Sequence, residues 1–196
     1  MNKKEEILKI ASKEFAKYGY KGVSLENIAK KANVTKAAIY YYFKNKFELY
    51  ETILLPKIEE LIDEIYSFNS DNPIEELNHY IHSYAKIFKK YPCFSSILAH
   101  EFVDNGRNFT ENIIQKLSKI FNKLISILNR GINQGIFEIT NPFSVQLMIV
   151  SPLIMHQSTK NLRKRISKYI DIKIDSDIED IANTISKKIL KAILKE

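Results

Sequence analysis

The residues with chemistry to offer are few: four histidines, one cysteine, and a run of hydroxyls, lysines and tyrosines between positions 24 and 46. His79 and His82 stand three apart, a spacing that puts two imidazoles on one helix face, where they could share a metal ion. The plainer reading is an ordinary half-exposed pair, and no metal is expected. Cys93 and His100 have the types of a nucleophile and its base. That chemistry also needs an orienting group and an oxyanion site, and nothing marks either, so Cys93 reads as a small buried hydrophobe. The chain has no dinucleotide fingerprint, phosphate loop or zinc-protease motif, and no cofactor is expected. The stretch from Ser24 to Lys46 offers recognition instead. A lysine can donate to guanine and an alanine methyl can pack on thymine, which makes Lys36, Ala37 and Ala38 candidate base readers.

The charge distribution points the same way. The net charge is +7, and residues 1–50 hold eleven lysines against five glutamates, a local +6. The other 146 residues are nearly neutral. A compact basic N-terminal segment suits a polyanion, although a lysine-rich solvated surface has the same composition. One cysteine excludes an intramolecular disulfide framework and fits a reducing cytosol, so a cytoplasmic location is expected. No apolar targeting segment follows the charged start. The most apolar stretch, 145–155, is interrupted by Gln146, Ser151 and Pro152 and is too short to cross a bilayer.

These residues must be held by helices, because 3.6-residue periodicity runs almost throughout and strand alternation is nearly absent. Ile7, Leu8, Ala11 and Phe15 share one face of a first helix that Gly19 stops. Ser24 opens a short helix carrying Ile28 and Ala29, and Thr35 opens another carrying Ile39, Tyr40 and Phe43. Asn45 with Glu48 starts a long helix to about Phe68, with Pro56 as a kink. Asn72-Pro73 begins a stripe of Ile74, Leu77, Ile81, Tyr84, Phe88 and Tyr91 that Pro92 ends. A shorter piece covers Phe94 to Phe102. A long helix follows Asn105-Gly106, and Gly131 and Gly135 mark its frayed end. Asn141-Pro142 starts a helix to about Arg165, and Ser176 with Glu179 forms a capping box for the last. The fold expected is all-α, with about nine helices. A shift in composition near residue 50 divides it into a head of residues 1–50 and a body of residues 51–196.

Within the head, Ser24 to Phe43 has the pattern of a helix-turn-helix. Ala29 and Ala32 let two helices approach, and Asn33 tolerates the left-handed turn between them. Thr35 caps the second helix, whose first residues would face a major groove. The stretch Glu6 to Tyr50 resembles the tetracycline-repressor (TetR) family. The resemblance rests on Ile7-Leu8, Ala11, Phe15, Gly19-Tyr20, Val23-Ser24, Ile28-Ala29, Ala32, Val34-Thr35-Lys36, the run Ile39 to Phe43, and Lys46, Glu48 and Leu49. It implies a three-helix DNA-binding domain on a larger helical domain for effector binding and dimerisation. It also implies that Ser24 bonds a phosphate, that Thr35, Lys36 and Ala38 match the leading edge of the recognition helix, that Tyr40 and Tyr42 touch the DNA backbone, and that Lys46 holds phosphate at a helix start. Asn33 and Ala37 stand where the family often has glycine, which bears on the bases read. Tyr40 suits the core equally well, and Tyr42 is expected to be exposed.

Beyond residue 50 the resemblance is architectural. It implies a homodimer on double-stranded DNA, answering to a small-molecule effector and acting as repressor rather than activator by family habit. The dimer surface is expected on the apolar helix Pro142 to Met155 and the heptad-like Ile178 to Ile193. An effector pocket is expected among Tyr80, Tyr84, Phe88, Phe94, His100, Phe121 and Met148, all of which also qualify as plain core. The cluster Lys160, Arg163, Lys164, Arg165 and Lys168 reads as a solvated helix end. The rival function is a helical ligand-binding or interaction protein that no longer binds DNA, and an enzyme is a distant third.

Overall fold

Polar caps divide the chain into helices. In the computed structural model, residues 2–171 and 176–195 are described. Asn2 caps α1 (Lys3–Tyr18) in a reciprocal box with Glu5, and Gly19, at φ 67°, ends it. Ser24 Oγ accepts from Asn27 N–H to open α2 (Leu25–Lys31), and Thr35 Oγ1 accepts from Ala38 N–H to open α3 (Lys36–Tyr42). Asn33 takes the left-handed conformation, φ 51°, in the turn between them. Asn45 opens α4 (Lys46–Tyr66), while Glu48 reaches back to the N–H of Lys44. Proline follows the cap asparagine in α5 (Pro73–Lys90) and in α8 (Pro142–Ser158), where a missing N–H costs nothing. Between them lie α6 (Pro92–Val103) and α7 (Glu111–Asn133). The short α9 (Lys160–Ile166) and α10 (Ile178–Ile193) complete the chain.

Ten helices are described rather than nine, because the helix expected to reach Arg165 breaks at Thr159. The Thr159 hydroxyl turns back to the Met155 carbonyl, 2.5 Å away, and its backbone leaves the helix at ψ 12°. Arg163 donates to the His156 carbonyl, the acceptor a continuous helix would give to the Lys160 N–H. The last helix is capped one residue later than expected, by Asp177 with Asp180, because a carboxylate at the next position competes with the Ser176 hydroxyl. Among the described residues the one β-pairing is an isolated bridge of Phe137 with Leu194, which ties the C-terminal segment to the end of α7.

Gly131 does not fray α7. The helix runs through it, and the bare Cα makes room for the Phe137 ring, so that a Cβ would come within 2.0 Å of Phe137 Cδ2. Gly135, at φ 71°, provides the reversal. Gly131→Ala is expected to overpack this corner and lower stability by roughly 1–3 kcal/mol, read as an earlier urea midpoint at unchanged slope. An unmoved midpoint would contradict the packing described.

The head is α1, α2 and α3 around Ile7, Phe15, Ile28 and Ile39, all fully buried, and α4 runs from it into the body. In the body α5 is central, packed by α4, α7, α8 and α10, while α6 lies between α1 and α8. Ile178, Ala182, Ile185, Ile189 and Ile193 of α10 are all buried against the chain's own α5 and α8. The heptad-like stripe therefore serves the monomer core, and the face of α10 left outward carries Asn183, Thr184, Lys187, Lys188 and Lys191. On α8, by contrast, Phe143, Leu147, Met148 and Met155 remain exposed.

Candidate nucleic-acid interface

The leading edge of α3 is presented to solvent by the way α3 is anchored. Ile39 is its one buried residue, and Phe43 follows it into the core. With that anchor, Thr35, Lys36, Ala37 and Tyr40 lie exposed and Ala38 half-buried. Ser24 and Thr35 spend their side-chain oxygens on helix caps, which leaves each hydroxyl proton free to donate. Tyr40 is 48% exposed and sits outside the core, which settles its two readings in favour of the surface. Tyr42 is half-buried against the core rather than exposed, because α3 turns its ring inward toward Phe43. The most open phenol is Tyr41, at 82%, edge-on to Tyr42. Sequence reasoning passed over Tyr41. The available signal was helical spacing from the buried Ile39, which puts position 41 on the far side.

The charged groups are already engaged. Lys36 pairs with Glu26 of α2 and lies 5.8 Å from the Tyr40 ring centroid. The hydrogen bond holds the Glu26 carboxyl below its usual pKa and the Lys36 ammonium above its own. Both groups are solvent-facing, so the pair contributes little to stability. Its effect falls on binding, because Glu26 neutralises a candidate DNA contact and would itself repel phosphate. Glu26→Gln is expected to tighten binding to duplex DNA roughly two- to tenfold at low salt, with the gain shrinking as salt rises. Fluorescence anisotropy across a salt series measures it, and weaker binding would show that Glu26 orders Lys36 for the groove.

Lys46 has a structural task beside its expected one. Its Nζ donates to the Val23 carbonyl at 2.8 Å and lies 4.1 Å from the Tyr20 ring centroid, clamping the start of α4 to the turn before α2. Burial pushes its pKa down. Two further N–H groups remain to meet a phosphate beside the free amides of the helix start.

Behind this surface, the head is tied to the body through buried groups. Tyr20 packs edge-on to Tyr50, whose hydroxyl donates to Glu101 Oε1 of α6 at 2.6 Å. Asn108 donates to both carboxylate oxygens, from its side chain at 3.0 Å and its backbone at 3.3 Å. Burial, then the neighbouring Glu101, pushes the Tyr50 and Tyr20 phenols up. Nearby, Lys21 pairs with Asp104 at 2.9 Å.

The residues expected to form an effector pocket separate into three places. Tyr80, Tyr84, Phe88 and Phe94 come together as a buried run of ring contacts, with Gln146 bridging the two phenols at 2.8 Å each. His100 lies exposed at the head–body junction, its ring against Gly19. Phe121 meets Phe143 at the surface, and Met148 is 46% exposed. Helical spacing alone cannot distinguish a packed core from a pocket wall. The paired histidines have ordinary partners, His79 the Glu64 carbonyl and His82 the Asn78 carbonyl and Asn183 side chain.

A three-helix head with an exposed recognition edge, continuous with a larger helical body, defines a helix-turn-helix DNA-binding protein. The sequence comparisons make the class specific. Residues 7–53 match the model of bacterial regulatory proteins of the tetR family, and residues 54–195 match that of the YcdC-like C-terminal region. The chain belongs to the TetR family and is a DNA-binding transcriptional regulator. It is 30% identical over 146 residues to the uncharacterized HTH-type transcriptional regulator YhgD of Bacillus subtilis, covering 72% of this chain and 75% of that one. It is 24% identical over 148 residues to the HTH-type transcriptional regulator RutR of Escherichia coli K12, covering 75% and 70%. Among solved structures, a tetR-family regulatory protein from Rhodococcus RHA1 shares the fold, with a TM-score of 0.78, 17% identity and full coverage of both chains. No helix among the described residues is long and apolar enough to cross a membrane.

Proposed function

We propose that the chain is a cytoplasmic, non-catalytic repressor that binds a two-fold-symmetric operator as a homodimer and releases it when a small effector binds. The observation that carries this reading is the exposed edge of α3, where Thr35, Lys36 and Ala37 stand free of the core while Ile39 fixes the helix behind them. Lys36, Ala37 and Ala38 read bases. Ser24, Thr35, Tyr40, Tyr42 and Lys46 hold the backbone, and the open Tyr41 joins them. The uncovered apolar face of α8 supports dimerisation, since Phe143, Leu147, Met148 and Met155 would otherwise stay in water. Two heads so joined meet successive major grooves about 34–36 Å apart. An effector that prefers another spacing lowers DNA affinity by that difference in preference. The head of residues 1–50 and the body of residues 51–196 then move through α4 and the Tyr50–Glu101 contact.

Equilibrium sedimentation, with anisotropy on random-sequence duplex over a salt series, tests the reading. A dimer whose DNA affinity falls steeply with salt is expected. A folded dimer that ignores duplex DNA at low salt would favour a ligand-binding protein without DNA function.

A further inference from the structure

The aromatic stack of the body is filled, but an open cavity of about 550 Å³ lies elsewhere, where α1, α4 and the junction of α5 with α6 meet. That volume is in the range of small-molecule sites. Its walls are Leu8 of α1, Ile53 and Pro56 of α4, and the Tyr91 ring, and its polar groups are mostly lysines. Lys9 and Lys13 come from the head, and Lys57 and Lys90 from the body. No acidic residue lines the cavity. Lys90 is neutralised by Glu60, whose other oxygen accepts from the Tyr91 hydroxyl. Lys9, Lys13 and Lys57 have no carboxylate within ion-pair distance among the described residues.

Lys57 is the most telling of these. Pro56 lacks the N–H that would bond the Thr52 carbonyl, and in that disturbed turn the Lys57 ammonium folds back to the Ile53 carbonyl and lies 5.5 Å from the Tyr91 ring centroid. Burial pushes its pKa down, and the nearby Cys93 and Glu60 offset only part of that push. Separately, α6 starts at this cavity with no side-chain cap, leaving the positive end of its dipole toward Cys93 on the wall.

We infer that this head–body groove is the effector site, and that it takes an amphipathic monoanion, a carboxylate on an apolar body. The inference rests on the ligand-responsive reading above. The carboxylate meets Lys57 and the α6 start, while the apolar body lies along Leu8, Ile53 and Pro56. Because α1 supplies one wall and α4 to α6 the other, a ligand that fills the groove sets the angle between head and body directly. It needs no rearrangement of the Tyr80–Phe94 core.

Calorimetry on the full chain with decanoate, and with decanol as its uncharged counterpart, tests the assignment. Decanoate is expected to bind once per chain and at least about tenfold more tightly than decanol, the worth of a charge-assisted hydrogen bond. Lys57→Met, which keeps the apolar stem, should weaken decanoate by roughly tenfold and leave decanol unchanged. Lys13→Gln, at an exposed position, should weaken it less and serves if Lys57→Met does not fold. No decanoate binding, equal binding of the two ligands, indifference to both lysine changes, or sensitivity to Tyr84→Phe instead would each overturn the proposal. DNA release is read separately by anisotropy. Intact DNA binding with no lysine-dependent decanoate site defeats the groove alone, whereas decanoate binding by a chain that ignores DNA defeats the repressor reading alone.

Discussion

Glu76→Ala is expected to produce the largest loss of stability of any single change considered, about 3 kcal/mol. Glu76 lies on α5 at 1% side-chain exposure, held by Lys123 at 2.9 Å and by Arg130, both from α7. Lys123 also donates to Asn69, so the cluster joins the α4–α5 connection to two core helices. Removing the carboxylate leaves the Lys123 ammonium, only 12% exposed, without its counter-charge. Arg130 is 40% exposed as a side chain although its Nε and Nη2 are buried, so a modest movement returns its charge to water, which places the cost at the low end of the range for breaking buried pairs. At roughly 2–4 °C per kcal/mol for a chain of this size, the melting temperature should fall by roughly 6–12 °C. Glu76→Gln, which keeps an acceptor for Lys123, should lose less. A fall of about a degree or less on Glu76→Ala would mean the lysine finds water freely and the cluster adds little.

The largest functional effect is expected from Ala37→Glu, and it should come without damage to the fold. Ala37 is exposed at the second position of α3, so a longer side chain meets solvent rather than the core. A carboxylate in the first turn also suits the helix dipole, so stability should hold or rise slightly. With the α3 edge in a major groove, as proposed, the same carboxylate would lie between two rows of phosphates. Like-charge juxtaposition at an interface costs several kcal/mol, on the order of a hundredfold or more in affinity. Anisotropy and thermal melting of one preparation separate the two effects. Near-normal DNA binding by the variant would remove the α3 edge from the interface.

The head was legible in the sequence because its fold is written in short-range chemistry. Ser24, Thr35 and Asn45 each cap the helix their type and spacing implied, and Asn33 takes the left-handed turn. The same held in the body for Asn72 and Asn141, each followed by proline. Competition between neighbouring groups was less legible. Asp177 displaces Ser176 as a cap, and Thr159 breaks a helix that periodicity alone would carry further. Which partner an apolar stripe meets was legible only in part. The isoleucines of α10 fit a dimer seam, yet they pack within the chain, while the uncovered stripe is on α8. For the same reason the expected pocket residues divided among core, junction and surface. The groove at Lys57 draws on residues more than eighty positions apart, from Leu8 to Cys93, and no local pattern announces it.

Selection of bound sequences from a random duplex library, with wild type and Ala37→Glu at low and moderate salt, asks whether the α3 edge reads a symmetric operator. Enrichment of one two-fold-symmetric sequence is expected from the wild type, and none from a variant that melts normally. A folded wild-type dimer that enriches nothing, or a variant that enriches the same sequence, would contradict that reading.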